Sequence, residues 1–483
     1  MSNSALIDSL RTKNASTANG ALTNSTSLSS VLDLFFLAGA CRTIDEASIQ
    51  NSIVKAWAED ALKTLKVIFW AGDIREGAGE RRFFKVAVKW LESNHAKVLV
   101  KNINAGNIQF FNRWDTLFEL VTDISVKRAV LKQVKNGLKK GDGLLAKWLP
   151  RKKQYNDFGA LVREDLGLSP KAYRQKIVKL SETVEQKMAD KDWANINYEH
   201  VPSVASNKYR KAFYRNDLER FSAFIAAANK GEVKIHAGAI FPYDIYRAIK
   251  RGDNDNAVDA QWKNLPNYLE KSGKKMLPVC DVSGSMSGLP MEISVSLGLY
   301  LSERNVGPFK DAFITFSGTP QLQYLNGTLT QRSRQLEQGD WGQNTNLEAV
   351  FDLVLNKAVQ NKLAQSDLPD TILIISDMEF DTATGEKRYD YATGRYVSKK
   401  VTNFDSIRSK FKSAGFEMPS LVFWNVNGRP GNSPVTVNDR DVALVSGSSP
   451  AVVKGVLEGS NSITPIDVLN NVIEAERYSV VIL

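Results

Sequence analysis

The chain has 483 residues, 43% hydrophobic content and a formal charge of +10, which is compatible with two to four domains that each bury a core. Its two cysteines lie far apart in apolar runs and its three histidines show no ligand spacing, which argues against a disulfide framework or a zinc site. No uncharged apolar run approaches the roughly 18 residues that span a bilayer, and the first residues lack a secretory-signal pattern, so we expect a soluble, cytoplasmic protein without a membrane partner.

The charge is unevenly distributed along the chain. Residues 1–250 contain 40 Lys and Arg against 26 Asp and Glu, a net charge of +14, whereas residues 251–483 contain 23 against 27, a net charge of −4. A charge concentrated on one part of a protein favours an anionic partner for that part, and nucleic acid is the usual one. A helical domain with a lysine-rich surface is the alternative.

The first half of the chain is predicted to be helical. Residues 1–27 are rich in Ser, Asn and Thr, and we expect them to be mobile or loosely attached. Over residues 28–270 apolar residues recur at three- and four-residue spacing, and short breakers such as "KKGDG" separate the segments. Short amphipathic helices in series, without strand-like runs, predict an all-α domain of stacked helix pairs, a solenoid or ring of degenerate repeats.

The pattern changes after residue 270. Apolar runs of strand length, including "MLPVCD", "AFITFS" and "TILIISD", alternate with helical segments as far as the end of the chain. Buried strands that alternate with helices predict a parallel, doubly wound α/β domain over residues 271–483. The polar segment 251–264 is the predicted connection between the two halves.

Oxygen-bearing side chains lie in the loops of this second domain. Asp281 and Asp377 directly follow predicted strands, Ser283 and Ser285 lie in the loop after Asp281, and Thr345 lies in a loop directly before a long helix. Ligands of doubly wound sheets bind at the carboxyl ends of the strands, and a set of carboxylates and hydroxyls without thiolate or imidazole suits a hard cation. The sequence therefore predicts a divalent-cation site, with Mg²⁺ as the expected ion and Mn²⁺ or Ca²⁺ as alternatives. Turn and helix-capping roles are the competing interpretation.

Residues 272–483 resemble a von Willebrand factor A domain with its metal-ion-dependent adhesion site. The matching stretches are "DVSGSM", "GQNTNLEAVF" and "IISDMEF". The resemblance implies that Ser283, Ser285 and Thr345 contact the ion directly or through one water, that the aspartates act through water, and that an acidic group of a partner completes the shell. Gln343 departs from the pattern, since a second glycine is common there.

Five stretches of the helical half carry a second resemblance. They are "GDIREGAGERRFF", "FNRWDTLFEL", "LAKWLPRK", "YEHVPSVASNKYRKAFYRNDLERF" and "AGAIFPYDI". They resemble the TROVE-like domain of Ro autoantigens, and more closely that of uncharacterised relatives in phages, plants and giant viruses. The resemblance implies a ring of HEAT-like helical repeats closed by the von Willebrand A domain. It also implies binding to single-stranded ends of misfolded or small non-coding RNA, in the host cytoplasm if the protein is encoded by a phage.

Three basic clusters in the helical half are the predicted RNA contacts. Single-strand binders combine cations for phosphates with aromatic faces for bases, and Trp148, Tyr209 and Tyr214 are interleaved with the second and third clusters. Ion pairing of the cations and core packing of the aromatic rings are the alternatives. The cations are Arg75, Arg81 and Arg82; Lys139, Lys140, Lys147, Arg151, Lys152 and Lys153; and Lys208, Arg210, Lys211 and Arg215.

Residues 381–400 contain two Ala-Thr-Gly turns and predict a protruding hairpin, either an interaction element or a surface insertion. The sequence has no P-loop, no Rossmann fingerprint and no nucleophile–base pair, so we do not expect an enzyme. Two hypotheses follow. One is a non-catalytic RNA-binding protein, and the other is a protein-interaction scaffold that captures a partner's carboxylate at the metal site.

Overall fold

The computed structural model describes residues 15–151, 157–235, 240–253, 256–270, 273–316, 320–338, 345–383, 387–390, 395–398, 402–457 and 464–483. The chain forms two compact units. The sheet unit comprises the chain up to Asp60, Phe241–Gly252 and Asn267–Glu474, and the helical unit comprises Ala61–Ile240, Asp253–Pro266 and Ala475–Leu483. The chain thus passes between units after residues 60, 240, 252, 266 and 474.

These units divide the chain differently from the predicted boundaries at residues 28, 270 and 271. Ser30–Ala38, which the sequence placed in the helical domain, is a helix of the sheet unit that is buried on almost every side. The Ser446 hydroxyl donates a hydrogen bond to the carbonyl of Phe35 at 2.8 Å and accepts one from the Gly39 amide at 3.0 Å. A helix that is apolar on almost every side requires cover on those sides, and the sheet unit provides it.

Residues 15–27 are held in place, so the prediction of a loosely attached N-terminus was wrong for them; residues 1–14 lie outside the described residues. Strands β1 (Ala15–Ser16) and β2 (Leu22–Thr23) pair antiparallel. The buried Thr17 hydroxyl donates to the carbonyl of Phe380 at 2.7 Å, and Thr23 donates to that of Ser433 at 2.9 Å. We call residues 15–27 the N-terminal strap. Its short polar side chains serve as hydrogen-bonding groups, which the composition alone did not indicate.

A six-stranded sheet lies at the centre of the sheet unit. In chain order its strands are β3 (Met276–Cys280), β4 (Ala312–Thr315), β5 (Leu322–Tyr324), β6 (Thr371–Ser376), β9 (Ser420–Asn425) and β10 (Val442–Ser446). Their spatial order is β10-β9-β6-β3-β4-β5, and every pairing is parallel except that of β5 with β4 at the edge. Strands β3, β4, β6 and β10 are buried along their whole length, as expected for apolar strands in a parallel sheet. The predicted parallel strands are confirmed, within a sheet that is mixed because of β5.

Helices connect and cover these strands. In the described part of the sheet unit they are Ser30–Ala38, Glu46–Glu59, Pro242–Lys250, Leu289–Arg304, Leu329–Glu337, Leu347–Gln360, Asn403–Ser413, Val452–Leu457 and Pro465–Ile473. The predicted hairpin within residues 381–400 is also present, as strands β7 (Lys387–Asp390) and β8 (Arg395–Ser398), which pair antiparallel. No helix in the described parts of the chain is long and apolar enough to cross a membrane.

The helical unit contains no strand among its described residues. Its α-helices are Ala61–Gly72, Arg81–Asn94, Ala96–Ala105, Asn107–Phe111, Ile124–Lys139, Gly143–Trp148, Phe158–Leu166, Pro170–Ser181, Val184–Ala189, Ser203–Asn216, Leu218–Lys230 and Asn256–Lys263. Helices that follow one another in the chain pack together, as in the pairs Ala61–Gly72 with Arg81–Asn94 and Ser203–Asn216 with Leu218–Lys230. The predicted helix-rich half is confirmed.

The C-terminal segment Ala475–Leu483 belongs to the helical unit. The Arg477 guanidinium donates two hydrogen bonds to the fully buried carboxylate of Asp73, at 2.5 and 2.9 Å. The ring of Tyr478 stacks on Phe111 with centroids 5.5 Å apart, and its hydroxyl donates to Asp73 at 3.1 Å. The amide of Asn107 donates to the carbonyl of Val480 at 2.8 Å. The last nine residues therefore complete the core of a unit whose other helices lie hundreds of residues earlier.

Candidate metal centre and nucleic-acid interface

The candidate metal residues lie where the strand order of the sheet reverses. From β3 the chain proceeds to β4 on one side, whereas β6 pairs with the other side of β3. Loops that leave the carboxyl ends of two such strands diverge and leave a crevice between them. Asp281 follows β3 directly and Asp377 follows β6 directly, so both carboxylates are placed at this crevice.

The strand register fixes Asp281. Cys280 is paired with Ile375, so that the next residues, Asp281 and Ser376, lie side by side. The Ser376 hydroxyl donates to Asp281 Oδ2 at 2.5 Å, and the Ser283 amide donates to Asp281 Oδ1 at 3.0 Å. Both oxygens of the carboxylate are therefore held in one orientation.

The two serines extend this arrangement from Asp281 to Asp377. The hydroxyl oxygens of Ser283 and Ser285 are 3.1 Å apart, and Ser285 is exposed to solvent. A hydrogen bond from Ser285 stabilises the charged form of Asp377. Four of the five predicted ligands are thus brought together.

Thr345 arrives from a separate loop. Its side chain is buried, and its carbonyl accepts a hydrogen bond from the amide of Asp381 at 3.0 Å, which ties this loop to the segment after β6. Asn346 follows it and caps the helix Leu347–Gln360, because its side chain accepts from the Ala349 amide at 3.0 Å. Residues 339–344, which include Gln343, lie outside the described residues. Asn346 therefore caps the helix. Thr345 directly precedes the cap and does not itself cap the helix.

The two carboxylates repel each other in a buried environment. Burial, opposed by the Ser376 hydrogen bond and reinforced by the charge of Asp377, raises the pKa of Asp281 to about 6. Burial also raises the pKa of Asp377. Asp377 Oδ2 is buried and accepts no hydrogen bond from the described residues. A buried carboxylate oxygen without a donor is costly, and a cation at this position would remove that cost.

The donor chemistry fits a hard cation better than a soft one. Among the described residues, no three His, Cys, Asp or Glu side chains are grouped as metal ligands. An ion at the crevice would therefore depend on hydroxyl groups and water in addition to two carboxylates. Mg²⁺ accepts such a set, since it commonly retains several waters and takes only one or two carboxylates.

Glu379 is a neighbour of the site that the sequence analysis did not single out. Its buried carboxylate accepts hydrogen bonds from the Ala18 amide of the N-terminal strap and from Asn432 Nδ2 at 3.3 Å. Arg429 lies 3.5 Å from the Glu379 carboxylate. The negative charge of Glu379 contributes to the raised pKa of Asp377. Glu379 lies two residues after Asp377 in "IISDMEF", but only the position of the strap shows how its carboxylate is satisfied in a buried position.

The three basic clusters of the helical unit are connected by a series of contacts. Arg81 forms an ion pair with the buried Asp115, which also binds Arg113 at 2.8 Å. The Arg113 guanidinium carbon lies 3.7 Å from the ring centroid of Trp148, next to Lys147. From there Glu185 continues the series, because its Oε1 lies 3.5 Å from Lys147 Nζ and 3.4 Å from the hydroxyl of Tyr209, next to Lys208. Arg113 is a link that sequence reasoning missed.

The other predicted cations differ in their surroundings. Arg75 donates to the carbonyl of Phe110 at 3.3 Å, and Arg151 donates to Ser181 at 3.1 Å. Lys211 pairs with Asp253 at 2.9 Å although it is largely exposed. Lys208 lies 5.0 Å from the ring centroid of Tyr209. Arg82 is partly exposed and lies in the first turn of the helix that follows Glu80. The cations with exposed side chains are Lys139, Lys140 and Arg215. Lys152 and Lys153 lie outside the described residues.

Arg210 is a correction to the predicted set. Its side chain is buried, and its guanidinium binds Asp253 at 2.5 Å and Asn207 at 2.9 Å. On the helix Ser203–Asn216 it lies on the inward face, near the positions of Ser206 and Phe213. The charge pattern of "NKYRKAFYR" did not separate this inward arginine from its outward neighbours. Arg210 is therefore a structural ion pair and is not presented to a ligand.

The predicted stacking rings are likewise divided. Tyr209 and Tyr214 pack against the hydrophobic cluster that contains Phe213 and Phe221, and Tyr214 lies 4.8 Å from Phe221. Trp148 is partly exposed and carries the Arg113 guanidinium on its ring. Of the three aromatic rings, Trp148 is the one whose exposure and contact with a cation are typical of a surface on which bases stack.

Comparisons with known proteins find similar sequences and structures over most of the chain. Two domains of unknown function match it, DUF2828 over residues 17–115 and 147–275 and DUF7788 over residues 275–477. The uncharacterized protein L728 of Acanthamoeba polyphaga mimivirus is 26% identical over 511 residues, covering 95% of this chain and 87% of the viral protein. The crystal structure of the Deinococcus radiodurans Ro (RSR) protein aligns with a TM-score of 0.41 and 14% identity, over 90% of this chain and 100% of that chain. The two domain matches meet at residue 275, directly before β3.

Proposed function

We propose that this protein is a non-catalytic, cytoplasmic RNA-binding protein. Its helical unit binds single-stranded ends of misfolded or small non-coding RNA. The observation that carries this proposal is the series of contacts from Arg81 through Trp148 to Lys208, which joins three basic clusters and a stacking ring. Cations beside an aromatic face are the surface that single strands require. The resemblance to TROVE-like domains supplies the class of RNA and the ring of HEAT-like repeats closed by a von Willebrand A domain.

RNA binding is tested on the purified full chain. Fluorescently labelled single-stranded RNA is titrated at about 50 mM and about 200 mM salt, and the anisotropy is measured. We expect binding that weakens steeply as salt rises, because each phosphate contact releases counterions. A high absorbance ratio at 260 and 280 nm that falls after a high-salt wash would support the same conclusion. A chain that does not bind RNA at low salt would refute the proposal.

We also propose that the crevice between β3 and β6 binds Mg²⁺, with Mn²⁺ or Ca²⁺ as alternatives. Ser283, Ser285 and Thr345 would hold the ion, together with Asp281 and Asp377 either directly or through water. When bound, the ion would supply positive charge to two buried carboxylates and a coordination position for an acidic group. The chain's own contribution is orientation, since Ser376 and the Ser283 amide fix Asp281 before any ion arrives.

The second candidate function is a protein-interaction scaffold that captures a partner's carboxylate at this ion. The exposed hydroxyl of Ser285 beside the buried Asp377 favours it, since an ion there would be reachable from solvent. Chelation of divalent ions separates the two functions. RNA binding by the helical unit should persist in a chelator, whereas capture of an acidic partner should be lost.

A further inference from the structure

A row of cations follows one face of the helix Arg81–Asn94. Arg81, Lys85 and Lys89 are spaced by four residues, which places them on one face at steps of about 6 Å along the helix axis. The 3₁₀-helix Trp114–Glu119 lies beside this face with two acids, also four residues apart. We call Arg81, Lys85, Lys89 and Arg113 the basic row.

Two lysines of the basic row share one carboxylate. Lys85 and Lys89 both pair with Glu119, with Lys89 at 2.7 Å. Arg81 and Arg113 both pair with Asp115, with Arg113 bound at 2.8 and 3.1 Å. The four basic side chains have exposed fractions of 33%, 26%, 51% and 31% in chain order, whereas Asp115 is 1% exposed. Among the described residues, the shared pairing of Lys85 and Lys89 therefore leaves positive charge in excess at a surface that an anion can reach.

Two buried acids mark the ends of this helix. Glu92, in its last turn, has one oxygen that accepts hydrogen bonds from the amides of Thr122 and Asp123 at 2.8 and 3.1 Å. Glu80, the residue before the helix, accepts from the amide of Arg82 at 3.1 Å. Glu92 is therefore engaged by backbone amides beyond the last cation of the row.

The shared carboxylates hold the cations in fixed positions before a ligand arrives. Burial would raise the pKa of Glu119, but hydrogen bonds and charges from Lys85 and Lys89 outweigh it and lower that pKa, so Glu119 is ionised at neutral pH. Arg113 is fixed twice, by Asp115 along one edge of its guanidinium and by Trp148 against one face. Cations that are already ordered lose less conformational entropy when a ligand binds.

We infer that the basic row binds a single-stranded polynucleotide. The backbone phosphates contact Arg81, Lys85 and Lys89, and one base stacks on the Arg113–Trp148 pair. This inference rests on the proposed RNA-binding function and locates it. Regular steps between cations suit a repeating anion, and a guanidinium plane on an indole suits a base, which an acidic polypeptide lacks.

The experiment uses the full chain and a labelled oligouridine of about 12 nucleotides, a length within the range that single-strand binders cover. The test variant is Lys85→Gln/Lys89→Gln. The matched control is Lys176→Gln/Lys179→Gln, which removes two exposed lysines from the helix Pro170–Ser181 of the same unit. A third variant, Lys85→Arg/Lys89→Arg, keeps the charge at the basic row. Thermal unfolding of each variant establishes that it is folded.

We expect the affinity of the test variant for oligouridine to fall at least about tenfold at low salt, and its salt dependence to lose a slope of about 1.4, corresponding to two phosphate contacts. The control should change by less than about threefold, and the arginine variant should retain most of the affinity. Equal losses in the test and control variants would overturn the inference, because net charge alone would then explain binding. Salt-dependent binding by the wild-type chain with no loss in the test variant would also overturn it, but would leave the proposed function intact. A wild-type chain that does not bind oligouridine would overturn both.

The base contact has its own variant. Arg113→Lys keeps the charge but loses the planar group that lies on Trp148, and Arg81 remains as a partner of Asp115. We expect oligouridine binding to weaken about fivefold or more, since stacking requires that plane. Unchanged affinity would overturn the assignment of a base to this pair. Equal binding of polyglutamate of the same charge would overturn the choice of a polynucleotide over an acidic polypeptide.

Discussion

The proposed metal site predicts that Asp281 controls the response of the sheet unit to divalent ions. The isosteric change Asp281→Asn removes one of two buried carboxylates and keeps the shape of the site. We expect Mg²⁺ to raise the thermal stability of the wild-type chain, by about 2.7 kcal/mol at roughly 100 times its dissociation constant, and to leave the variant unchanged. Differential scanning calorimetry with and without Mg²⁺ measures this.

The matched control for this prediction is Asp441→Asn. Asp441 immediately precedes β10, at the amino end of that strand, and its left-handed backbone conformation, φ 59°, is one that asparagine also adopts readily. We expect this variant to retain the full response to Mg²⁺. If Mg²⁺ still stabilised Asp281→Asn, the metal site would be contradicted, and Asp281, Ser283 and Ser285 would have only turn and capping roles.

His95 makes the helical unit sensitive to mild acid. Partial burial lowers the pKa of His95 from its ordinary value of 6.5, so the unfolded chain binds this proton more readily than the folded chain. The stabilising contribution is therefore present above pH 6.5 and is lost as the pH falls through the lowered pKa. We expect the urea midpoint of the helical unit to fall between about pH 7.5 and pH 5.5. Asp281 and Asp377, whose raised pKa values act in the opposite direction, belong to the sheet unit. His95→Gln should fall less over the same interval, and an identical fall in both chains would contradict the assignment.

The elements that the sequence predicted best are those whose burial is uniform. "MLPVC" and "TILIIS" are wholly buried strands, and the pattern alone identified them as parallel. Strand β5 and the helix Leu329–Glu337 were not predicted, because "LQY" is largely exposed and "LTQRSRQLE" is mostly polar. Both depend on neighbours in the fold, β4 for the strand and the helix Leu289–Arg304 for the helix.

The N-terminal strap is an element held by hydrogen bonds, so its stability can be tested one side chain at a time. Thr17→Val keeps the side-chain shape and removes two buried hydrogen bonds, one donated to the carbonyl of Phe380 and one accepted from the amide of Ala21. We expect the free energy of unfolding to fall by about 1–3 kcal/mol, because a buried carbonyl loses its hydroxyl donor and a buried amide loses its hydroxyl acceptor. Chemical denaturation measures the change.

Thr43→Val is the comparison for the strap. Its hydroxyl also makes a hydrogen bond, to Asn427 Oδ1 at 3.3 Å, but it is exposed and water can replace that bond. We expect almost no change in stability for this variant. If Thr17→Val were equally neutral, the strap would contribute little to the sheet unit, and the position of Glu379 would need another explanation.

At the scale of the whole molecule, the limits of sequence analysis have a specific cause. Asp281 and Asp377 were predicted as metal ligands because each directly follows an apolar strand, and parallel strands bring such positions to one edge. The predicted division of the chain differs from the observed one. The observed division depends on pairs such as Arg477 with Asp73 and Thr17 with Phe380, which are 404 and 363 residues apart. Local periodicity contains no information about which distant segment supplies a partner.

The clearest consequence at this scale concerns the last nine residues. Deletion of residues 475–483 removes Arg477 and Tyr478 from Asp73 and exposes the face of Phe111 on which Tyr478 stacks. A buried carboxylate that loses its cation costs about 3–5 kcal/mol, and we expect the helical unit to lose at least that much stability. The sheet unit contains none of these residues and should keep its own.

Limited proteolysis with mass spectrometry shows which of the two units is destabilised in the chain that lacks residues 475–483. New cleavage sites should fall within Ala61–Ile240, while β3 and β6, which are wholly buried strands of the sheet unit, should stay protected. Arg477→Gln is the single-residue form of the experiment, with Lys176→Gln as its exposed control. It should reproduce most of the effect, since it leaves Asp73 with only the hydroxyl of Tyr478 among the C-terminal partners described here. Cleavage spread evenly over both units would instead mean that the C-terminal segment stabilises the whole chain, and that the helical unit does not depend on it in particular.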